Sequence, residues 1–236
     1  MAEVGMMSSH LNRFDSSDKL TQSLSESIIK NLQDEIDKND KASLIVSGGS
    51  TPKALFKKLR VADIEWEKVS IALCDERWVK SDNSDSNERL IREYLLQERA
   101  SKAQFIGMYV DGLKPTEAEL TCKKNMSALM PFSVVILGMG ADAHTASLFP
   151  NNPRLKEAFD MDSDKICIAI TPEHAPYQRM SLTRKAILGA KSIYLHIEGE
   201  EKLKVFDKVM AGDDIFSMPI RSILHQDKKE IEVYYA

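Results

Sequence analysis

SVVILGMGADAHTASLFP, residues 133–150, is the segment that decides how this chain folds. Its first five residues, 133–137, form an apolar run, which predicts a short buried strand. The strand leads into a loop with two glycines that carries Asp142 and His144. A carboxylate and an imidazole directly after a buried strand indicate a chemical role, because a hydrophobic core has no use for charge there. We expect Asp142 to cap a short helix that begins at Ala143, with His144 in its first turn.

Apolar runs of the same kind alternate with amphipathic helical patterns along the chain. The predicted strands are 42–47, 69–74, 104–108, 133–137, 165–170, 191–197 and 231–235. The predicted helices lie near 18–37, 52–60, 86–98, 115–129, 181–189, 199–211 and 218–225. Most of the strands are continuous apolar runs, typical of strands buried on both faces of a sheet. The alternation predicts an α/β fold with a mostly parallel sheet. No repeat or Pro/Gly-rich linker divides the chain, so we expect a single domain over residues 1–236.

Composition and charge argue against several classes of protein. With 236 residues, 43% hydrophobic and 29% charged, the chain has the make-up of a soluble globular protein. A net charge of −4 argues against nucleic acid as the main partner, because attraction to phosphate backbones needs a basic surface. The first residues lack the pattern of a secretion signal, and no apolar run approaches the roughly 20 residues of a membrane span. We therefore expect a cytoplasmic protein with no membrane and no obligate protein partner.

The cysteines and histidines give no metal signature. Cys74, Cys122 and Cys167 are odd in number and far apart, and no CxxC pair is present. We expect neither a disulfide framework nor a thiolate metal site from them. The histidines lack metal-site spacing such as HExxH, so no metal requirement is expected.

Glycine and hydroxyl residues follow the first predicted strand, in the segment 47–52. Gly48 and Gly49 let the backbone approach a ligand closely, and a helix N-terminus behind them favours an anion. Thr51 can act as the N-cap, with Pro52 at the first helical position. The alternative is a plain strand-to-helix turn with a good cap.

Three charged residues, 75–77, close the second predicted strand. Arg77 presents a fork of donors that suits a phosphate or a developing oxyanion. The alternative is an ion pair between Asp75 and Arg77 that ties the loop to the sheet. The two interpretations are compatible, since Asp75 could hold Arg77 in position.

Two further cations lie after predicted strands. Arg179 falls in the loop after 165–170, and Lys202 follows Gly199 at a helix start. Taken alone, each of these two residues is typical of a solvated surface charge. A lysine in the first turn of a helix opposes the helix dipole, however, and a bound phosphate would supply a reason for it. Because the carboxyl ends of parallel strands share one edge, we expect all these motifs to converge on one site.

His144 is the predicted general base. The positive end of the helix dipole would disfavour its imidazolium form, and a neutral imidazole is what a base near pH 7 requires. A lone histidine in a helix is more often structural. His174 is the rival base on the same edge, whereas His196, in a strand-like run, reads as a core or edge residue.

Six segments carry a resemblance to a known family. They are SGGSTPKALFKKL (47–59), CDERWV (74–79), SNERLIREYLL (86–96), GMGADAHTASLFP (138–150), RMSLT (179–183) and GEEK (199–202). In this order they resemble the 6-phosphogluconolactonase family, within the glucosamine/galactosamine-6-phosphate isomerase superfamily. The resemblance implies a Rossmann-like three-layer α/β/α sandwich. It also implies hydrolysis of 6-phospho-D-glucono-1,5-lactone to 6-phospho-D-gluconate in the oxidative pentose phosphate pathway, with no cofactor.

The resemblance also implies roles for individual residues. His144, with Asp142 beside it, would activate the attacking water, and Arg77 would stabilise the oxyanion or grip the phosphate. The residues implied to hold the phosphorylated substrate are Gly48, Gly49, Ser50, Thr51, Asp75, Arg179 and Lys202. Ala143 departs from the glycine usual in the family. A positive φ there would strain an alanine by roughly 1 kcal/mol or more.

Two alternatives remain at the level of sequence. One is a sugar-phosphate isomerase or deaminase on the same fold, with Asp75 as the proton-abstracting base. Those deaminases carry a Glu where this chain has Phe149. The other is a non-enzymatic sugar-phosphate sensor, which would need a DNA-binding module. The roughly 40 residues before the first predicted strand indicate one amphipathic helix, with neither a helix-turn-helix nor basic character.

Overall fold

A computed structural model describes residues 9–236 of the chain. The first eight residues, on which the expectation about a secretion signal partly rests, lie outside the described part. The strands are β1 (Ser9–Arg13), β2 (Ala42–Val46), β3 (Val69–Leu73), β4 (Asp75–Arg77), β5 (Gln104–Ile106), β6 (Val134–Leu137), β7 (Cys167–Ile170), β8 (Arg179–Leu182), β9 (Ser192–Ile197) and β10 (Ile231–Tyr235). The α-helices are α1 (Ser17–Asn39), α2 (Lys53–Leu59), α3 (Asn87–Tyr94), α4 (Pro115–Ser127), α5 (Leu155–Phe159), α6 (Arg184–Leu188), α7 (Glu200–Ala211) and α8 (Arg221–Leu224). Short 3-10 helices cover Trp66–Lys68 and Glu98–Lys102.

Seven strands form one parallel sheet in the order β1-β10-β9-β6-β2-β3-β5. The central strands β2 and β6 are buried along their whole length, as expected for strands covered on both faces. Leu44 of β2 stands in register with Ile71 of β3 on one side and with Val134 of β6 on the other. The predicted Rossmann-like α/β fold with a mostly parallel sheet is confirmed.

The chain changes direction across the sheet between β2 and β6. From β2 it proceeds outward to β3 and β5, then crosses back to β6 and continues outward through β9 and β10. At such a switch point the connections after the two neighbouring strands run to opposite sides, which opens a crevice at the carboxyl ends. The glycine-containing loops after β2 and after β6 therefore flank one crevice.

Helix α1 shows how sequence periodicity builds one layer. Ser16 caps it by accepting a hydrogen bond from the Lys19 backbone N–H. Its buried stripe recurs every four residues, at Leu20, Leu24, Ile28, Leu32 and Ile36. Each such side chain contributes about 1.5–3 kcal/mol when buried, and the stripe packs over β2, β6 and β10. None of the helices within residues 9–236 has the length and apolar character needed to cross a bilayer.

A second, three-stranded antiparallel sheet has the order β4-β8-β7. This corrects the expectation that the strand at 165–170 belongs to the parallel sheet, and that residue 181 begins a helix. An apolar run indicates that a strand is buried but does not indicate which sheet the strand joins. Under this sheet lies a small separate core made by Leu148, Leu155, Ala158, Phe159, Ile168 and Ile170.

Besides β8 and the two 3-10 helices, the sequence patterns missed three further elements. Strand β1 is a half-exposed edge strand with little apolar character, and β4 consists of three charged residues. Helix α5 is five residues long, too short to show a helical period. All three are held by tertiary pairing or packing, which local patterns do not encode.

The structure also corrects the expectation about cysteines. Cys122 on α4 and Cys167 on β7 form a disulfide pair, with Cα atoms 6.1 Å apart. Their 45-residue separation gives no local signal, because the packing of α4 against β7 brings them together. Cysteine usage therefore does not argue for a reducing compartment.

Glu119 on α4 joins this helix to the second sheet. Its carboxylate accepts hydrogen bonds from the side chains of Arg154 and Lys165 and from the backbone N–H of Ala169 at 2.9 Å. Burial alone would raise the pKa of Glu119, but these hydrogen bonds outweigh burial and lower the pKa below its ordinary value. The native protein thus favours the ionised carboxylate.

We expect Glu119→Gln to lower the free energy of unfolding by about 1–3 kcal/mol near neutral pH, because two cations lose their anionic partner. A lowered native pKa adds stability above the ordinary value of 4.5 and loses it as the pH falls through the native pKa. Wild type should therefore lose stability more steeply than Glu119→Gln on acidification below that value. Chemical denaturation over a pH series measures this. The exposed Glu93→Gln is the control, and parallel acid profiles for wild type and Glu119→Gln would contradict the expectation.

Candidate active site

One cleft of about 390 Å³ opens at the carboxyl edge of the parallel sheet, over the switch point between β2 and β6. The loops after β2, β6 and β9 line it from the parallel sheet, and β4 and β8 line it from the second sheet. All the predicted site residues except Asp142 line the cleft, namely Gly48, Gly49, Ser50, Thr51, Asp75, Arg77, His144, Arg179 and Lys202. The expected convergence on one site therefore holds in the structure, although Arg179 reaches it from the second sheet.

The carboxylate of Asp142 orients the imidazole of His144 through its Nδ1. Its Oδ1 lies 2.5 Å from Nδ1 of His144 and also accepts the His144 backbone N–H at 3.2 Å. Burial would raise the pKa of Asp142, but the contact with His144 outweighs it and lowers the pKa. Because Nδ1 faces the carboxylate, Nε2 is the nitrogen that remains for a ligand in the cleft.

The expected helix at Ala143 is absent, and this corrects the argument from a helix dipole. Ala143 and Ala146 have φ values of 63° and 48°, in the left-handed region that interrupts a helix. The loop instead closes with a hydrogen bond of 2.8 Å from the Gly140 N–H to the His144 carbonyl. A left-handed alanine costs about 1–2 kcal/mol. The carboxylate of Asp142, not a helix terminus, therefore provides the electrostatic environment of the imidazole.

Gly140 makes room for this pair. A Cβ at this position would lie 2.1 Å from Nδ1 of His144 and 2.6 Å from Oδ1 of Asp142. Any side chain here would displace one partner of the pair, so the loop requires glycine for space.

Arg77 and Arg179 are direct cross-strand neighbours in β4 and β8. This corrects the expectation that Arg179 lies in a loop, since it is the first residue of β8. Arg179 is 7% exposed, and its Nη2 donates to the Pro176 carbonyl at 3.1 Å while Nε has no partner among the described residues. Burial lowers the pKa of Arg179, and the charge of Arg77 lowers it further. Two neighbouring cations with unmatched donors form a site that an anion would satisfy.

Arg77 does not pair with Asp75, so the alternative of an ion pair between them is wrong. Its Nη1 donates to Oδ1 of Asn87 at 2.6 Å and to the Asp85 carbonyl at 3.2 Å. Asp75 instead accepts a hydrogen bond of 2.6 Å from Oγ of Ser147, a buried residue of the loop after β6. Asn87 and Ser147 both line the cleft, and sequence reasoning missed both. Asn87 is the first residue of α3. The helical pattern of the segment 86–96 predicts this helix but does not indicate that its first side chain lines a cleft.

The glycines after β2 are needed for packing as well as for access. Gly49 has a φ of 98°, in the left-handed region. A Cβ on Gly48 would lie 1.9 Å from Oδ1 of Asn87. The expected cap is wrong, because α2 begins at Lys53 and has no side-chain cap from Thr51.

Lys202 and two further histidines lie at different distances from the cleft. Lys202 lies in the first turn of α7, as predicted, and its Nζ donates to the Met139 carbonyl at 2.8 Å in the loop that carries His144. His196 is buried at the cleft wall, 2.7 Å from Glu198. The side chain of His174 is 87% exposed and does not line the cleft. Among residues 9–236, no three His, Cys, Asp or Glu side chains cluster as a metal site would require.

Phe149 lies next to both chemical groups of the cleft. Its ring centroid lies 4.7 Å from that of His144 and 5.9 Å from Cζ of Arg179. The imidazole and the buried guanidinium thus both lie beside one aromatic ring. A ligand of about the size of a sugar, with an anionic group at one end and a reactive carbon at the other, can contact both groups.

Known proteins resemble this chain over most of its length. The family model for glucosamine-6-phosphate isomerases/6-phosphogluconolactonase matches residues 15–233. The chain belongs to this family. A 6-phosphogluconolactonase from Rhizobium meliloti (strain 1021) is 36% identical, over 98% of this chain and 100% of the relative. The 6-phosphogluconolactonase from Pseudomonas putida is 35% identical, over 92% of this chain and 88% of its own length.

Solved structures of family members have the same fold. The crystal structure of a 6-phosphogluconolactonase from Shewanella baltica OS155 matches with a TM-score of 0.93 at 42% identity. The match covers 96% of this chain and 97% of the other. The family and the fold predicted from the sequence are thus confirmed.

We expect inorganic phosphate to stabilise the protein through the Arg77–Arg179 pair. At about 100 times its Kd, a ligand that binds only the native state adds about 2.7 kcal/mol of stability. Thermal unfolding with and without phosphate should show a rise in Tm for wild type, and less than half that rise for Arg179→Gln. Lys204→Gln, an exposed cation on α7 that does not line the cleft, is the control. An equal rise in Arg179→Gln and wild type would remove Arg179 from the anion site.

Proposed function

We propose that this chain is a hydrolase that converts 6-phospho-D-glucono-1,5-lactone to 6-phospho-D-gluconate, the second step of the oxidative pentose phosphate pathway. Membership of the family and near full-length relatives named 6-phosphogluconolactonase support it. The observation that carries the proposal is that His144 and Arg179 line one cleft and both lie beside the ring of Phe149. A base and a phosphate site are thereby placed within reach of a single sugar phosphate.

In this proposal the cations bind the 6-phosphate and fix the position of C1. Arg77 joins Arg179 at the phosphate, because the two residues are cross-strand neighbours and act on the same group. Lys202 and the loop 48–51 border the same cleft and add donors. Binding at the phosphate is remote from the reacting carbon, so it contributes orientation and not bond polarisation.

The chemical step in this proposal needs one base and water. Nε2 of His144 takes a proton from a water molecule as its oxygen attacks the C1 carbonyl. When the tetrahedral intermediate collapses, the bond between C1 and the ring oxygen breaks. The imidazolium returns the proton to that oxygen, which becomes the C5 hydroxyl. Asp142, 2.5 Å from Nδ1, stabilises the imidazolium between the two transfers.

Asp75 has a different role in this proposal. Its carboxylate is buried beside the cleft and held by Ser147, so it can accept hydrogen bonds from sugar hydroxyls. The deaminase alternative would use Asp75 as the base that abstracts a proton. No contact of the described residues favours that alternative, and the assay below tests it directly.

We also propose that the chain acts as one domain in the cytoplasm. Both sheets contribute to one hydrophobic core, since Cys167, Met180 and Leu182 of the second sheet pack with the strands of the first. A phosphorylated sugar acid does not cross a bilayer unaided, so its hydrolase is expected where the substrate is made.

We expect the protein to accelerate acid release from freshly generated 6-phosphogluconolactone well above the spontaneous rate. His144→Ala should fold normally and lose roughly 100- to 10,000-fold in kcat, the usual contribution of a general base. His174→Ala, which alters an exposed histidine outside the cleft, should retain wild-type activity.

Glucosamine-6-phosphate is tested in parallel for release of ammonia. Ammonia release by the wild-type protein, or no acceleration of lactone hydrolysis, would overturn the proposed function. A folded His144→Ala variant with the wild-type rate would remove His144 from the mechanism and leave the lactonase assignment in place.

We expect Gly140→Ala to lower kcat by roughly tenfold to a hundredfold, because its methyl group displaces the His144–Asp142 pair without removing a reacting group. Inhibition by inorganic phosphate should be unchanged, since the Arg77–Arg179 pair is untouched. Steady-state kinetics and phosphate inhibition constants measure both effects. A kcat equal to that of wild type would show that the position of the imidazole does not limit the reaction.

A further inference from the structure

We infer that Asn87 is a positioning residue that aims the guanidinium of Arg77 at the substrate phosphate, and that the buried carboxylate of Glu76 holds Asn87 in place. This inference rests on the proposed function, in which Arg77 binds the phosphate. It adds two residues that act through Arg77.

The amide of Asn87 has a partner at each end and can point in only one direction. The residue is 2% exposed, its Oδ1 accepts from Nη1 of Arg77 at 2.6 Å, and its Nδ2 donates to the Asp75 carbonyl at 2.8 Å. A guanidinium cannot accept a hydrogen bond and a carbonyl cannot donate one. Rotation of the amide by half a turn would therefore break both contacts.

This fixed amide determines which edge of Arg77 is available. Nη1 is occupied by Asn87 and by the Asp85 carbonyl. Within residues 9–236, Nε and Nη2 of Arg77 make no hydrogen bond, so this edge remains for the two oxygens of an anion. Bidentate contact through one edge is the geometry in which arginine binds phosphate most strongly.

Glu76 fixes the backbone that carries both residues. It is fully buried, and its two oxygens accept from the backbone N–H groups of Arg77 at 2.7 Å, Asn87 at 2.7 Å and Glu88 at 2.8 Å. Oγ of Ser86 adds a fourth hydrogen bond at 3.1 Å. No cation donates to this carboxylate among these contacts. It serves as an anchor between β4 and the first turn of α3.

The glycine of the neighbouring loop depends on the same amide. A Cβ on Gly48 would lie 1.9 Å from Oδ1 of Asn87, the atom that binds Arg77. The loop after β2 thus packs directly on the contact between Asn87 and Arg77. Asn87 links three parts of the cleft, which explains why a short polar amide stands at the buried start of a helix.

A double-mutant cycle tests the inference with Asn87→Ala, Arg77→Ala and the double variant. The readouts are KM for the lactone, kcat, and the inhibition constant of inorganic phosphate. We expect Asn87→Ala to raise KM and the phosphate inhibition constant on the order of tenfold, with a smaller change in kcat. Because Asn87 acts through Arg77, the double variant should match Arg77→Ala within about twofold.

Asn31→Ala is the matched control, because Asn31 donates its amide to Ser192 and Tyr194 and does not line the cleft. It should lower Tm without changing either binding constant. Asn87→Ser replaces Asn87→Ala in the cycle if the alanine variant does not fold.

The outcomes separate the inference from the function on which it rests. If the fold-changes in KM and in the phosphate inhibition constant multiply in the double variant of an active enzyme, the role of Asn87 is overturned. A purely structural residue would affect the wild-type and the Arg77→Ala backgrounds equally. If the phosphate inhibition constant is unchanged in Arg77→Ala, Arg77 does not bind the phosphate and the inference is overturned. A wild-type protein without lactonase activity would instead overturn the proposed function, and the rise in Tm with inorganic phosphate, measured in the same variants, would still report on the coupling of Asn87 to Arg77.

Discussion

The pairing of β4 with β8 is the constraint on which the site depends. It places the half-buried Arg77 opposite the buried Arg179, and like charges directly opposite each other destabilise a sheet. Burial and the neighbouring charge of Arg77 both lower the pKa of Arg179, in agreement with this repulsion. A phosphate monoester, with a charge near −2, relieves this opposition and supplies the missing hydrogen-bond acceptors. In the proposed function, affinity for the anion therefore follows from the backbone pairing of the second sheet.

The imidazole of His144 lies in the same cleft as this pair. The turn after β6 holds the imidazole, with Asp142 at its Nδ1, and the ring of Phe149 lies next to both the imidazole and the guanidinium of Arg179. In the second sheet, the buried carboxylate of Glu76 and the amide of Asn87 hold Arg77. In the proposed function, the base and the anion site are thus each held by hydrogen bonds of their own.

Most of the parallel sheet and its helices could be predicted, because buried strands and amphipathic helices leave periodic apolar patterns. The misses have different causes. The pairing of β4 with β8 and the disulfide between Cys122 and Cys167 arise between segments distant in sequence. Asn87 is near Arg77 in the chain, but their contact depends on how α3 packs beside β4. The predicted helix at Ala143 failed for a local reason, since two left-handed alanines replace it with a turn.

The sequence alone determined the fold class and the family and singled out the residues proposed to react, because strand–helix alternation and six ordered segments are properties of the linear chain. Tertiary structure alone decided how these groups are used. In the folded chain, Asp142 contacts Nδ1 of His144, Asp75 accepts a hydrogen bond from Ser147, and Arg77 donates one to Asn87. Arg179 lies in a second sheet that borders the cleft. Hydrogen-bond partners depend on distances of a few ångströms between side chains, and such distances exist only after the strands have paired.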